Sequence, residues 1–454
     1  MEKERLTREL GLFSATAVVV ANMIGTGIFT TSGFILEQVD NSYALLACWL
    51  VGGMFALSGA LCYGELGAMF PRAGGEYVFL RESFGKATAF LSGWISLIVG
   101  FSAPIAASAI AFATYFFRIL PVPLNLNFTL RVFGEPAIVL TPVTVLAVII
   151  IVVFALLHHH SLRLGSSVQN GLALLTVAVI MVFILGGIFF GQCTLDNLSK
   201  PVHADTFFSS AFAVSLVFVS FSYSGWNAAA YMGGEIKNPG RAIPRALIMG
   251  CGLVAVLYFL LNGAFLAARP AEDLKGVLDV AASAGQALFG PAFSLYLNGA
   301  IAFSILSAVS SMTMTGPRVY YAMAADGSFF QLFSRISRRR TPSAAILLQA
   351  AIAIAMTLTA SFATLLIYIG FTLAASTMLA VAGMMLLRKK TPDAPRPYRT
   401  FGYPVTPLFF ILGNLWIISF AVSSKPGASL AGLLTIGTGF AVYAAYKRAQ
   451  KKAA

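Results

Sequence analysis

Apolar residues run along this chain in stretches of about twenty or more, separated by short knots of glycine, proline and charge. A helix crossing a bilayer needs about 20 mostly apolar residues. The runs predict twelve spans, near 12–37, 42–69, 87–117, 138–157, 166–190, 206–233, 243–268, 287–323, 342–360, 363–387, 403–424 and 428–446. Two spans are interrupted mid-way: the first by Gly25-Thr26-Gly27, the sixth by Ser222-Tyr223-Ser224-Gly225-Trp226-Asn227. Glycine costs roughly 1 kcal/mol relative to alanine inside a helix. Backbone released from helical pairing is tolerated at membrane depth only where it lines a cavity or is buried in protein. Each interruption therefore predicts a broken helix, and a broken membrane helix is a place to bind something.

The two breaks lie five spans apart. Because five is odd, the second set of five starts from the opposite side of the membrane, and matching breaks in two halves point to an inverted repeat. The expected fold is all-α, a polytopic membrane protein of twelve transmembrane helices. Its parts are an N-terminal segment over 1–11, a first repeat over 12–190 (helices one to five) and a second over 206–387 (helices six to ten). Helices eleven and twelve follow over 403–446, then a tail over 447–454. Small residues also serve helix packing, so the pair of breaks carries more than either alone.

Composition agrees with a membrane protein: 58% of residues are hydrophobic, 10% are charged and the mean hydropathy is +0.84, whereas a soluble domain carries about a quarter charged residues. The net charge of +13 does not mark a nucleic-acid binder, because the basic residues gather in alternate loops. Of 30 Lys and Arg, only Arg118, Arg131, Lys200, Arg269, Lys275 and Lys425 fall on the far side. The positive-inside rule then puts both termini in the cytoplasm of a multi-pass protein of the cell's inner membrane. The charged start and long first run predict a retained helix and no cleaved leader. Among Cys48, Cys62, Cys193 and Cys251, only Cys193 lies in a predicted outward loop, so no disulfide framework is expected.

Chemistry concentrates at the breaks. In span one the second half-helix is expected to begin near Ile28, aiming unpaired N–H groups and a positive dipole end at an anion. The first half-helix ends near Met23 with carbonyls that suit an ammonium, and span six repeats this near Phe221 to Tyr223. A carboxylate beside an ammonium is the backbone of an α-amino acid. The acidic residues that touch spans, Glu37, Glu65 and Glu235, fall at span ends, so the core is expected to hold no carboxylate and the cargo to be neutral. Glu65 and Glu235 read as gates or, more commonly, as ion-pair partners of nearby arginines. The run His158-His159-His160 has no accompanying carboxylate or cysteine cluster and reads as solvated histidines over a metal site. No metal and no catalytic set is expected, so a membrane enzyme is disfavoured. Beside the break, Phe221 serves as a lid or as packing, with Tyr223 and Trp226 within about one and a half turns. Ser304, Ser307, Ser310, Ser311 and Thr313 either line a pathway or bond their own i−4 carbonyls.

These residues resemble a known family. Gly25-Thr26-Gly27-Ile28-Phe29 is similar to the G[ST]G[IV]F motif of the amino acid-polyamine-organocation transporters, and Tyr63-Gly64-Glu65-Leu66 through Pro71-Arg72-Ala73-Gly74-Gly75-Glu76-Tyr77 resembles that family's second-span signature. Phe221 to Asn227, followed by Glu235-Ile236-Lys237-Asn238-Pro239, resembles the sixth-span motif of the L-type branch, and Gly316 to Met323 the end of span eight in bacterial members. The resemblance implies that Ile24, Gly25, Thr26 and Gly27 meet the substrate carboxylate. Phe221, Ser222 and Ser224 would then meet the ammonium or close over it, with Asn227 bracing the unwound segment and Tyr223 and Trp226 gating. The chain departs from the family at Thr176, where many relatives carry a lysine thought to stand in for sodium or carry a proton. Coupling thus stays open among exchange, Na+ and H+, with Thr176 as the coupling position. Val99 stands where the cationic branch has a glutamate. The loop from Arg118 to Gly134 lacks the cysteine that bonds a heavy-chain partner, so no such partner is expected. The expectation is secondary transport of neutral L-amino acids by alternating access. The alternatives are carriage of a cationic amino acid or another small amine, or a non-transporting amino acid sensor.

Overall fold

The computed structural model describes residues 6–120, 126–132, 135–190, 204–277, 279–359, 362–424 and 426–453. Each of the predicted spans is occupied by helix. Span one is Leu12–Met23 plus Gly27–Val39, and span two is Ser42–Met69. Span three joins Lys86–Ile95 and Ala103–Ile119 through a π-helical stretch, Ser96–Ser102. Spans four and five are Pro142–His160 and Leu162–Phe190; span six is Ser210–Ser222 followed by the short Ala228–Tyr231; span seven is Pro239–Ala268. Span eight is Pro291–Thr315 continued by Pro317–Ala325, and spans nine to twelve are Ser343–Thr359, Phe362–Lys390, Val405–Ser424 and Pro426–Ala453. Among the described residues, 7 helical segments are long and apolar enough to cross a membrane, with shorter apolar helices beside them.

Local chemistry sets several boundaries. Asn41 caps span two by accepting from the Ala44 N–H at 3.0 Å. Thr141 and Thr144 form a reciprocal capping box at the start of span four, where Pro142 needs no N–H partner. The π-helical turn of span three precedes Pro104, whose missing N–H and bulky ring disfavour a regular α-turn there. Several features lie outside the all-α expectation or the predicted bounds, among them the helix Val280–Phe289. An antiparallel hairpin, Phe128–Val132 with Glu135–Leu140, occupies the connection between spans three and four, and Glu76–Phe84 is a separate helix between spans two and three.

Packing places the broken spans centrally. The first half of span one lies against spans five and seven, and its second half against span six; span two packs on seven, three on eight, and four on nine. The buried hydrophobic core runs continuously through these contacts. The short loops at the N-terminal end are tied by charge. Leu10 forms one rung of parallel pairing with the loop after span six, donating to Glu235 O at 2.9 Å and accepting from Lys237 N at 2.8 Å. Glu9 bonds Arg163 at 3.0 Å and also meets Arg340. The hydrogen bond from Arg163 holds its carboxyl below the usual range, against the opposing effect of burial, with Arg340 assisting.

Two of the three carboxylates expected at span ends, Glu65 and Glu235, are ion-paired, and more deeply than a surface pair. Arg318 grips Glu235 through two contacts of 2.9 Å, both side chains being almost fully buried. Glu65 accepts from Arg388 at 2.8 and 2.5 Å and from the Thr400 N–H at 2.7 Å. The histidine run departs from the solvated reading. His158 is buried with its ring nitrogen 2.9 Å from Ser310 Oγ, so it joins span four to span eight, while His160 meets Arg339. Cys48, Cys62 and Cys251 are buried free thiols, and Cys193 lies outside the described residues.

Candidate binding site at the paired helix breaks

Span one stops being helical after Met23 and resumes at Gly27; span six stops after Ser222 and resumes at Ala228. The two breaks touch. A Cβ on Gly27 would lie 2.5 Å from Ser222 Oγ and 2.8 Å from Ser222 Cα. A Cβ on Gly225, whose φ is +94°, would lie 2.6 Å from the Asn22 carbonyl oxygen. Only glycine allows these backbones so close, and at Gly225 it also supplies the left-handed φ that other residues avoid. Thr31 Oγ1 adds a 3.0 Å bond to Ser222 Oγ across the junction.

Helix ends at the junction present unpaired backbone. No hydrogen bond to protein is made by the N–H groups of Thr26, Gly27 and Ile28 among the described residues, as a helix N-terminus dictates. On the opposite ends, the carbonyls of Met23 and Ser222 share one donor, the Tyr258 hydroxyl of span seven, at 2.6 and 3.2 Å. Tyr258 packs edge-on against Trp49 and tilted against Tyr223. Tyr223 is fixed in turn by its hydroxyl bond to Trp49 O at 3.0 Å.

A cavity of about 100 Å³ opens beside the break in span six. Of the residues singled out in the sequence, Phe221, Tyr223, Ser224, Trp226 and Asn227 line it, and Ile24, Gly25, Thr26, Gly27 and Ser222 do not. Thr176 is elsewhere, buried in span five with its hydroxyl bonded to Leu172 O at 2.9 Å. The hydroxyls of span eight divide between the two readings. Ser304 and Thr313 bond carbonyls four residues back. Ser310 meets His158 as described, Ser307 meets Gln169 at 3.5 Å, and Ser311 Oγ bonds Val18 O at 3.1 Å while also meeting the Asn22 amide.

One expectation is overturned outright. The core does hold a carboxylate, because Glu76 is buried and lines the cavity. Its Oε1 accepts from Asn227 Nδ2 at 2.7 Å and from the Tyr231 hydroxyl at 3.1 Å, and its Oε2 accepts from Ser376 Oγ at 2.7 Å. Counting acidic residues only along the spans missed it, since Glu76 opens the short helix between them. The signal was present: two glycines, then Glu76 at the head of the apolar run Tyr77-Val78-Phe79-Leu80, immediately after a span. Asn22 and Tyr258 were also missed, being lone polar residues inside apolar runs, where a side chain's partner is set by tertiary packing.

A family model described as "Amino acid permease" matches residues 10–442. The chain is 30% identical over 425 residues to the mouse b(0,+)-type amino acid transporter 1, covering 93% of this chain and 84% of the relative. It is 29% identical over 452 residues to the human large neutral amino acids transporter small subunit 2, covering 96% of this chain and 80% of the relative.

Proposed function

The chain belongs to the amino acid permease family, and from that premise we propose that it carries neutral L-amino acids across a membrane by alternating access, with the substrate at the junction of spans one and six. The observation that carries this reading is the direct contact of two broken helices beside a small cavity. In this reading the N–H groups of Thr26, Gly27 and Ile28 receive the substrate carboxylate once the junction opens, and the carbonyls at Met23 and Ser222 face its ammonium. Phe221 and Ser224, on the cavity wall, close over the bound molecule, with Tyr223 and Trp226 behind them. A division into two inverted repeats of five helices is supported by the packing of counterparts on one another, span one on six, two on seven, three on eight and four on nine. Cytoplasmic termini are supported by the gathering of basic residues in alternate loops. Exchange, Na+ coupling and H+ coupling differ in what Thr176 must do.

A second reading has its own observation: Glu76 lines the cavity, and a carboxylate there suits a cationic side chain. Against it, both oxygens of Glu76 are already engaged by Asn227, Tyr231 and Ser376, so a cation would have to displace those donors. The test is counterflow in proteoliposomes of the purified chain, loaded with unlabelled amino acid and challenged with labelled alanine, leucine and lysine. Saturable, L-selective counterflow of alanine or leucine with weak lysine uptake is expected. Lysine as the preferred substrate establishes the second reading, and no counterflow with any amino acid refutes both.

A further inference from the structure

Asn227 has two donor hydrogens and one acceptor oxygen, and the structure spends the donors on Glu76 and Tyr231. Its Nδ2 bonds Glu76 Oε1 at 2.7 Å and Tyr231 Oη at 3.1 Å, while the Tyr231 hydroxyl donates to the same Glu76 oxygen. The structure turns the amino group of Asn227 to Glu76, whose carboxyl oxygen accepts from it. The remaining atom, Oδ1, has no protein partner among the described residues, and Asn227 lines the cavity. The cavity therefore presents a bare acceptor whose orientation is dictated by a residue on a different element.

We propose that Glu76 is a positioning residue for substrate selection, holding the Asn227 amide with Oδ1 toward the cavity so that amino acids whose side chains donate a hydrogen bond are favoured over apolar isosteres. The cavity wall also includes the apolar side chains of Phe101, Pro104, Leu373 and Ala374. It suits a short side chain with one donor, a hydroxyl or a primary amide. At about 100 Å³ the space is below the ~150 Å³ that admits a benzene ring. The three-way grip has a second consequence, because Glu76 links the helix after span two, the short second part of span six, and span ten through Ser376. Asn227 keeps its aim only while those three elements hold together.

This inference rests on the proposed transport of amino acids, and the experiment separates the two. Counterflow of threonine and valine, equal in shape and differing in one hydroxyl, is compared in proteoliposomes of the full chain. Threonine is expected to exceed valine roughly tenfold in kcat/KM, the worth of one neutral hydrogen bond. In Glu76→Gln, whose side chain offers donor and acceptor alike, the amide of Asn227 is free to turn, and the ratio is expected to fall toward one. Glu76→Asp keeps an acceptor-only group and is expected to restore most of the preference. Should Glu76→Gln not fold, Asn227→Leu removes the acceptor and must abolish the preference for threonine. Equal handling of threonine and valine by the unaltered chain, with alanine transported, overturns the inference and leaves the transport reading standing. An undiminished threonine preference in a folded Glu76→Gln or Asn227→Leu protein overturns it equally. Absence of counterflow with every amino acid removes the reading beneath it.

Discussion

Replacing Gly27 by alanine tests the closeness of the two breaks. The added methyl would stand 2.5 Å from Ser222 Oγ, 2.8 Å from its Cα and 2.9 Å from its Cβ. A side-chain oxygen can rotate away, but a backbone Cα cannot, so the two breaks must separate by several tenths of an ångström. Overpacking of this kind costs about 1–3 kcal/mol. Separation also weakens the Thr31–Ser222 bond at 3.0 Å and the bond from Tyr258 to Ser222 O at 3.2 Å, each worth about 1 kcal/mol. The sum, about 3–5 kcal/mol, is an upper figure, since the methyl's strain and the lost bonds relax together. The control lies two residues away: a Cβ on Gly25 would meet only Ala308 Cβ, at an ordinary 3.6 Å. Purified Gly27→Ala and Gly25→Ala proteins are compared by thermal unfolding in one detergent at one scan rate, because membrane proteins commonly unfold irreversibly. Gly27→Ala is expected to melt well below the unaltered chain and Gly25→Ala close to it. A Gly27→Ala midpoint equal to or above that of Gly25→Ala refutes the tight junction.

Two further predictions concern the loops. Arg318→Leu strands the buried Glu235 carboxylate and is expected to cost about 3–5 kcal/mol, whereas Arg318→Leu with Glu235→Leu recovers most of that loss; thermal midpoints of the two singles and the double decide it. Glu9 has a depressed carboxyl because Arg163 bonds it, so its contribution is present above the unfolded glutamate value and is lost as pH falls through the lower, folded one. Protection factors at the Leu10 and Lys237 amides, corrected for the intrinsic pH dependence of exchange, are expected to fall only under strong acidification, and a fall already near neutral pH contradicts that origin.

Much of this architecture was legible in the chain because a bilayer demands long apolar runs, and their interruptions stand out against so uniform a background. Gly25-Thr26-Gly27 and Ser222 to Asn227 are interruptions of that kind, and the helices stop within a residue or two of where the glycines and hydroxyls fall. Glu76 was not legible as a core residue, since a rule that assigns acids to membrane or loop by position along a span has no category for a helix folded back into the bundle. His158 escaped for a related reason: the three histidines look alike in sequence, and only packing distinguishes the buried ring from its exposed neighbour His160. The π-helical turn at Ser96–Ser102 adds a residue to one turn without changing the hydrophobic pattern around it, so periodicity could not reveal it.

The Tyr258 hydroxyl carries one proton, yet two carbonyls from different helices claim it. The shorter claim belongs to Met23, leaving Ser222 O the more weakly served acceptor of the two. Met23 O also accepts from the Gly25 N–H at 3.0 Å, so the pair is unequal. Any movement that draws span seven from either helix hands the proton to the other, which makes the two halves rivals for one atom.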